Sequence, residues 1–406
     1  MDFYPSFYYN IIVGDFMLEV YLNKNEEKEK LEGFPWIFNN EVNHFKGNII
    51  NGEICKVYTF DNNFLCYGFF NSISKIMVRI LSFDENETID EDFFRRRIKY
   101  AIEHRSNLNF NDSNCCRLIF SEADKLPGLV VDKYADYLSI QFMSLGMDKI
   151  KDIIVKILVS ETNCKGIYER DDMPTRIKEG LEEKKGYLYN EFNPKVEVLE
   201  NGIKFIVDIE NGQKTGYFLD QKLNRDNVKY YSYNKVVLDC FSNVGGFALN
   251  ACKNGAKQVD ALDISKKACD DILYNAKLNN FNNINVICDD TFNYLRKDDI
   301  KNKYDCIILD PPAFTKNKDS VNKAYKGYKE INLQALKIIK SGGYLLTFSC
   351  SQHMTPNLFF EMLSDAVKDS KRNVQLVDFR IQAPDHPTLL NSEEQLYLKC
   401  VILRVL

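Results

Sequence analysis

Beyond about residue 187 the chain alternates between short apolar runs and longer mixed stretches. Val236-Val237-Leu238, Val259-Asp260-Ala261-Leu262, Ile284-Asn285-Val286-Ile287, Ile307-Ile308-Leu309 and Tyr344-Leu345-Leu346-Thr347-Phe348 have the length and composition of strands. The stretches between them read as helices, so the pattern predicts a largely parallel sheet covered on both faces across residues 187–406. The first 80 residues look different. Short runs such as Ile49-Ile50-Asn51-Gly52-Glu53-Ile54 and Gly68-Phe69-Phe70-Asn71 carry turn signals, and Gly33-Phe34-Pro35-Trp36-Ile37-Phe38 joins a turn to a strand, which fits a small β-barrel. Residues 81–186 mix a basic amphipathic helix, Phe93 to His104, with the strands Cys116–Phe120 and Tyr137–Phe142. Between those strands, Leu126-Pro127-Gly128 turns into Leu129-Val130-Val131-Asp132. An intermediate α/β domain is expected there, ending at the polar segment Glu183–Gly186.

The ends of the apolar runs carry the candidate chemistry. Asp310 closes the run from Cys306, and Pro311-Pro312 then forbid continuation as strand or helix. Ligands of open α/β sheets sit at the carboxyl ends of the strands, which puts Asp310 at the mouth of a site. Asp239 opens the loop Cys240-Phe241-Ser242-Asn243-Val244-Gly245-Gly246. Its two glycines permit close backbone approach, while the acid would repel a pyrophosphate and suits a cationic amino acid. Asp263, with Ser265 just beyond, is spaced to hydrogen-bond two ribose hydroxyls, and Asp290 with Thr291 to meet an adenine. Four acids ending four successive strands point to a nucleoside cofactor of the S-adenosylmethionine type.

Composition narrows the partners. Of the 406 residues, 27% are charged, and the net charge of −5 argues against a protein that coats RNA nonspecifically. The first eighty residues hold 7 Lys+Arg against 10 Asp+Glu. Basic patches remain at Arg95-Arg96-Arg97 with Lys99 and Arg105, where a solvated face is the plain expectation, and at Lys316, Lys318, Lys323, Lys326 and Lys329 beside Asp310. No apolar run approaches the ~20 residues of a membrane span, and Met1-Asp2-Phe3 lacks the basic start of a signal peptide. Twelve cysteines without a C-x-x-C pair, several inside apolar runs (Cys240, Cys288, Cys306, Cys400), predict buried reduced thiols, a cytoplasmic setting and no zinc or other metal.

Several motifs occur in one order along most of the chain: Gly33–Phe38, Glu122–Asp132, Gly212-Gln213-Lys214-Thr215-Gly216-Tyr217-Phe218-Leu219-Asp220-Gln221-Lys222 with Arg225, Asp310-Pro311-Pro312-Ala313-Phe314, Ser349-Cys350-Ser351-Gln352-His353 and Asp385-His386-Pro387. Together they resemble the PUA-headed, class I family of large-subunit ribosomal RNA cytosine methyltransferases. The resemblance implies a PUA-like domain, an intermediate α/β domain and a Rossmann-like class I methyltransferase domain, in an enzyme that is often a homodimer. It implies S-adenosylmethionine, held by Gln213, Lys214, Phe218, Asp239, Phe241, Asn243, Gly245, Asp263, Ser265, Asp290, Thr291 and Asp310. It also implies ribosomal RNA of the large subunit as substrate, met by Pro311, Pro312, Phe314 and Lys316. An extra stretch before Lys24 and an acidic first domain depart from the family pattern.

Methylating carbon 5 of cytosine needs a thiolate that adds to carbon 6 and makes the ring nucleophilic. Within the resemblance Cys350 takes that role, with Asp310 holding the flipped base. Many RNA cytosine methyltransferases carry a second cysteine after the two prolines; Ala313 stands there, which leaves the base that removes the carbon 5 proton unassigned. His353 and His386 are candidates for orientation. Rival readings are an amino-group or guanine methyltransferase of the same architecture, and an inactive RNA-binding assembly factor. Ala313 between the prolines and Phe314 disfavours the amino-group reaction.

Overall fold

The computed structural model describes residues 17–110, 112–315, 318–392 and 396–406. Its C-terminal part is a seven-stranded sheet whose strands we number along the chain: β1 (Val236–Cys240), β2 (Gln258–Asp263), β3 (Ile284–Cys288), β4 (Cys306–Leu309), β5 (Tyr344–Ser349), β6 (Val374–Arg380) and β7 (Lys399–Val405). In space their order is β3-β2-β1-β4-β5-β7-β6. The first five run parallel, and β7 inserts antiparallel between β5 and β6. Strand order reverses at β1, with β2 on one side and β4 on the other. The crevice at that switch point is where such sheets bind ligands.

Helices α1 (Gly246–Lys253), α2 (Lys266–Leu278), α3 (Val321–Ile338) and α4 (Pro356–Ser370) cover both faces. One core joins Leu309, Leu345 and Leu403 to Tyr328, Ile331 and Leu336 of α3 and Phe359 and Met362 of α4. The opposite core joins Val237, Val259, Ile308 and Phe348 to Phe247 and Ala248 of α1. Start signals are local: the Ser265 hydroxyl accepts from the Ala268 amide at the head of α2, and Thr355 caps α4 just before Pro356.

Residues 19–82 form a six-stranded sheet, with Trp36–Phe38 and Val42–Lys46 at its two ends. Asn51-Gly52 is the turn of its run, and the strand starts at Ile54. The middle region is a five-stranded sheet backed by the helix Glu91–Asn107. Both expected domain boundaries fall inside strands: residue 80 lies in Ile76–Ser82, and 186/187 lies in Lys184–Tyr189, which pairs with Gly166–Asp171 of the middle sheet. The parallel sheet begins only at Val236. Before it, Lys195–Glu200 and Ile203–Asp208 make a separate antiparallel hairpin. Asn279 is the C-cap of α2, and Asn275 and Asn279 accept hydrogen bonds from the Ile206 and Lys204 amides and satisfy the hairpin's open edge.

The arginine patch is a solvated face only at Arg96 and Lys99, which are exposed. Arg95 pairs with Glu91 and Glu161, and Arg97 donates to the carbonyls of Lys125 and Leu81. Buried Arg105 forks onto both oxygens of Asp124 and reaches the Asp385 carbonyl. Two family-like motifs have the same structural work. Glu122 joins Trp36 and Arg79 of the first sheet to the middle one. Asp132 holds Arg117 bidentately, and Asp385 accepts from the Arg117 amide and from His386, which makes His386 a structural hydrogen-bonder. Nine cysteines are buried; Cys288, expected inside an apolar run, is exposed at the end of β3. No described helix is long and apolar enough to cross a membrane. Among the described residues the donors grouped closely enough for a metal are Asp148, Glu169 and Asp171, and Lys151 and Arg176 already sit against them.

Candidate functional site

At the carboxyl end of β1 the loop turns sharply. Phe241 and Asn243 have left-handed backbone (φ 62° and 54°), a strain at Phe241 that only an over-determined loop keeps, and Gly245 (φ 89°) takes the same region freely. Gly246 has a separate need: a Cβ there would lie 2.7 Å from the Arg225 guanidinium. Asp239 is fully buried beneath this loop. Its Oδ2 accepts from Ser242 Oγ (2.6 Å) and the Ala248 amide (2.9 Å), while Oδ1 is buried without a partner. Burial pushes this carboxyl up to about 7 against its two hydrogen bonds, with the Asp310 and Asp263 charges adding to the rise. An orphaned buried acceptor in that state fits a cationic group, which would satisfy Oδ1 and favour the carboxylate.

Asp263 ends β2 half-buried. Its oxygens accept the amides of Asn243 and Ser265 at 2.9 Å each, so one carboxylate ties the β1 loop to the head of α2. Each oxygen keeps a lone pair for a hydroxyl. Asp290 caps a short helix through the Asn293 amide (2.9 Å), with Thr291 buried behind it. The neighbouring Asp289 is taken by Lys297. The four strand-end acids therefore line one edge of the sheet, as their spacing predicts.

Asp310 follows β4. Gln221, the tenth residue of the Gly212–Lys222 motif, donates to its Oδ1 at 2.9 Å, a pairing that the sequence alone does not reveal. Burial pushes the Asp310 carboxyl up to about 7; Arg225, Lys214 and the Gln221 bond oppose the rise, and the Asp220 charge adds to it. Cys350 stands just past β5, the strand beside β4, with Sγ 3.9 Å from the Pro311 carbonyl oxygen. It is partly exposed, unlike the mid-strand thiols Cys240, Cys306 and Cys400. Burial and then the Asp310 charge raise its thiol to about 11, while Lys214 and Lys399 act to lower it.

Lys214 bonds Asp220 Oδ2 at 2.7 Å and lies over the rings of Phe218 (4.6 Å) and Tyr397 (5.6 Å). Tyr397 donates to the same oxygen at 2.6 Å. Burial favours the neutral Asp220 acid, but Lys214, His386 and Tyr397 overcome it and hold the carboxyl well below its usual range. This group lies on the Asp310–Cys350 side of the site, and Gln213 is exposed at its rim. Pro311 is buried and Pro312 exposed, whereas Phe314 is partly buried against Tyr328 (4.6 Å) and spends its ring on packing. Lys316 lies outside the described residues. Lys323 and Lys326 are exposed, and Lys329 is tied to Asp365 and Asp369. Asp220, Tyr397 and Lys399 carried no sequence signal as isolated residues, since only folding brings them to the site.

Residues 183–399 match the family model described as S-adenosylmethionine-dependent methyltransferase, and residues 20–83 match a PUA-like domain. A relative from Aeromonas hydrophila, ribosomal RNA large subunit methyltransferase I, is 41% identical over 391 residues, covering 95% of this chain and 98% of its own. The protein of that name from Aliivibrio fischeri strain ES114 is 40% identical, covering 96% and 99%. Among solved structures, a putative methyltransferase complexed with SAH has the same fold, with a TM-score of 0.80 at 23% identity over 96% of this chain and all of that one. The cofactor is therefore S-adenosylmethionine, consistent with the free Oδ1 of Asp239.

Proposed function

The chain belongs to the ribosomal RNA large subunit methyltransferase I family of S-adenosylmethionine-dependent enzymes, and from that membership we propose that it methylates carbon 5 of a cytosine in large-subunit ribosomal RNA. The observation that carries the reading is Cys350 at the end of β5 beside Asp310 at the end of β4. Bound S-adenosylmethionine supplies an electrophilic methyl group. Asp239 would hold its amino-acid cation and Asp263 its ribose hydroxyls. Asp310, raised to about 7 by burial, retains a proton near neutral pH and can donate it in a hydrogen bond to the ring nitrogen of a flipped cytosine. The Cys350 thiolate adds its electron pair to carbon 6, and carbon 5 gains the nucleophilicity that methyl transfer requires. Loss of the carbon 5 proton then expels the thiolate. With Ala313 after the prolines, that proton goes to a base other than a second cysteine, with water as the candidate. The proposed setting is the cytoplasm. Mass mapping of nucleotides in ribosomal RNA treated with the enzyme tests the reaction: 5-methylcytosine supports it, and methylguanine or an amino-methylated base overturns it.

Asp263→Ala is expected to weaken S-adenosylmethionine binding. The two ribose hydrogen bonds are each worth about 0.5–1.5 kcal/mol, and the loop amides of Asn243 and Ser265 lose their acceptor as well. Calorimetry showing unchanged affinity in the folded variant would refute the placement.

RNA contact through the segment after Pro312 rests on Lys323 and Lys326. Replacing both with Gln should weaken RNA binding and reduce the salt slope by up to roughly two, leaving cofactor affinity alone. An unchanged slope would reduce them to a solvated face.

A further inference from the structure

Lys399 opens β7 directly across from Ser349 at the end of β5. It is completely buried, yet it takes part in none of the ion pairs among the described residues. Its ammonium donates to two main-chain carbonyls, Ser351 (2.6 Å) and Tyr397 (2.8 Å). A buried amine without a carboxylate is uncommon, because the charge loses its hydration with no counter-ion in return. Here one of the two carbonyls belongs to the residue next to Cys350. An ammonium has three donors, so one remains beyond these two bonds.

The other charged and titratable groups around Cys350 do not supply a free cation. From β4 comes Asp310, which opposes a thiolate, and Lys214 is neutralised by Asp220 at 2.7 Å. Tyr328 of α3 and Tyr397 before β7 are phenols with raised values, and burial is the leading cause of both shifts. We propose that Lys399 is a positioning residue for Cys350, fixing the Ser349–Ser351 turn through the two carbonyls and acting as the counter-ion of the Cys350 thiolate. The inference rests on Cys350 being the nucleophile. Ionisation breaks the Cys350 S–H bond, the proton leaves to water, and the sulfur keeps the electron pair beside the ammonium. Release of product returns the thiolate to that state. Burial lowers the Lys399 amine to about 8, and the Cys350 charge works against that fall.

Alkylation of Cys350 by iodoacetamide, followed in the full-length protein by mass spectrometry of the Cys350 peptide across pH, reads this coupling directly. Lys399→Met is expected to move the alkylation midpoint upward by roughly one unit and to slow alkylation at pH 8 about tenfold. Lys399→Arg, which keeps the cation, should recover most of that rate. Lys399→Gln keeps a donor for the carbonyls without charge and should behave as Met does; it decides the matter if the Met variant does not fold. Cofactor binding by calorimetry serves as the folding control. An alkylation profile identical to that of the unmodified protein in a cofactor-binding Met or Gln variant overturns the proposal. This readout does not require Cys350 to be the nucleophile, so loss of that reading in RNA assays and loss of the Lys399 coupling are separate results.

Discussion

RNA carrying 5-fluorocytosine at the target position is expected to be methylated once and then to remain bound to the enzyme. Fluorine cannot leave carbon 5 without the bonding electrons as a proton does, so elimination of the Cys350 thiolate from carbon 6 is blocked and the carbon–sulfur bond persists. The adduct should survive denaturing electrophoresis, depend on S-adenosylmethionine and disappear in Cys350→Ala. That variant should also lose methyl transfer by at least about a thousandfold, since removing a catalytic nucleophile abolishes a route rather than weakening a contact. Methylation of cytosine by Cys350→Ala at the normal rate would sink the mechanism. Trapping at a different cysteine would keep the chemistry and relocate the nucleophile. Asp310 offers a pH corollary. Its folded value near 7 lies above the ordinary 3.8, so native Asp310 keeps a proton that the unfolded chain loses between about pH 4 and 7, and folding stability falls across that window. Asp310→Asn should therefore raise the thermal midpoint at pH 8 and change it little below about pH 3, where both states are protonated.

Arg105→Ala should be severely destabilising, while Arg96→Ala should change stability by less than about 1 kcal/mol. Arg96 is a half-exposed side chain paired with Glu87, and surface pairs contribute little. Arg105 is buried, forks onto Asp124 at 2.5 and 2.8 Å and also donates to the carbonyls of Arg117 and Asp385. Truncating it leaves a buried carboxylate unpaired, at a cost of about 3–5 kcal/mol. It also cuts a tie between the middle region and the segment preceding β7. Thermal unfolding of the two variants side by side checks this, and equal midpoints would show that Arg105 carries no more than a surface arginine does.

The two arginines sit nine residues apart on one helix, and nothing in their spacing separates them. A basic cluster on an amphipathic helix reads as a solvated face because each Arg is equally charged in sequence. Which of them is buried depends on Asp124 and Asp385, and Asp385 lies 280 residues further on. The strand that crosses 186/187 was hidden for a related reason. Glu183–Gly186 is polar, but Lys184–Tyr189 is an edge strand of the middle sheet, and edge strands are polar on the side that meets water. The hairpin at 195–208 was read into the parallel sheet because apolar alternation reports a buried face without reporting which sheet buries it.

The chain's own order of residues determined the architecture of the C-terminal part and the four acids at the carboxyl edge of its sheet. Period and run length define strands locally, prolines terminate β4 locally, and in a parallel sheet the end of each strand falls at the ligand edge whatever the rest of the chain does. Asp239, Asp263, Asp290 and Asp310 were legible for that reason, as was Cys350 at the end of β5. Their electrostatics were decided only by tertiary structure. Asp239 and Asp310 are raised by burial beneath a loop and against Gln221. Lys214 is quenched by Asp220, and Lys399 is brought from the last strand to the turn that carries Cys350. Desolvation and charge pairing act through space between residues far apart in the chain, so no pattern of neighbours along the sequence records them.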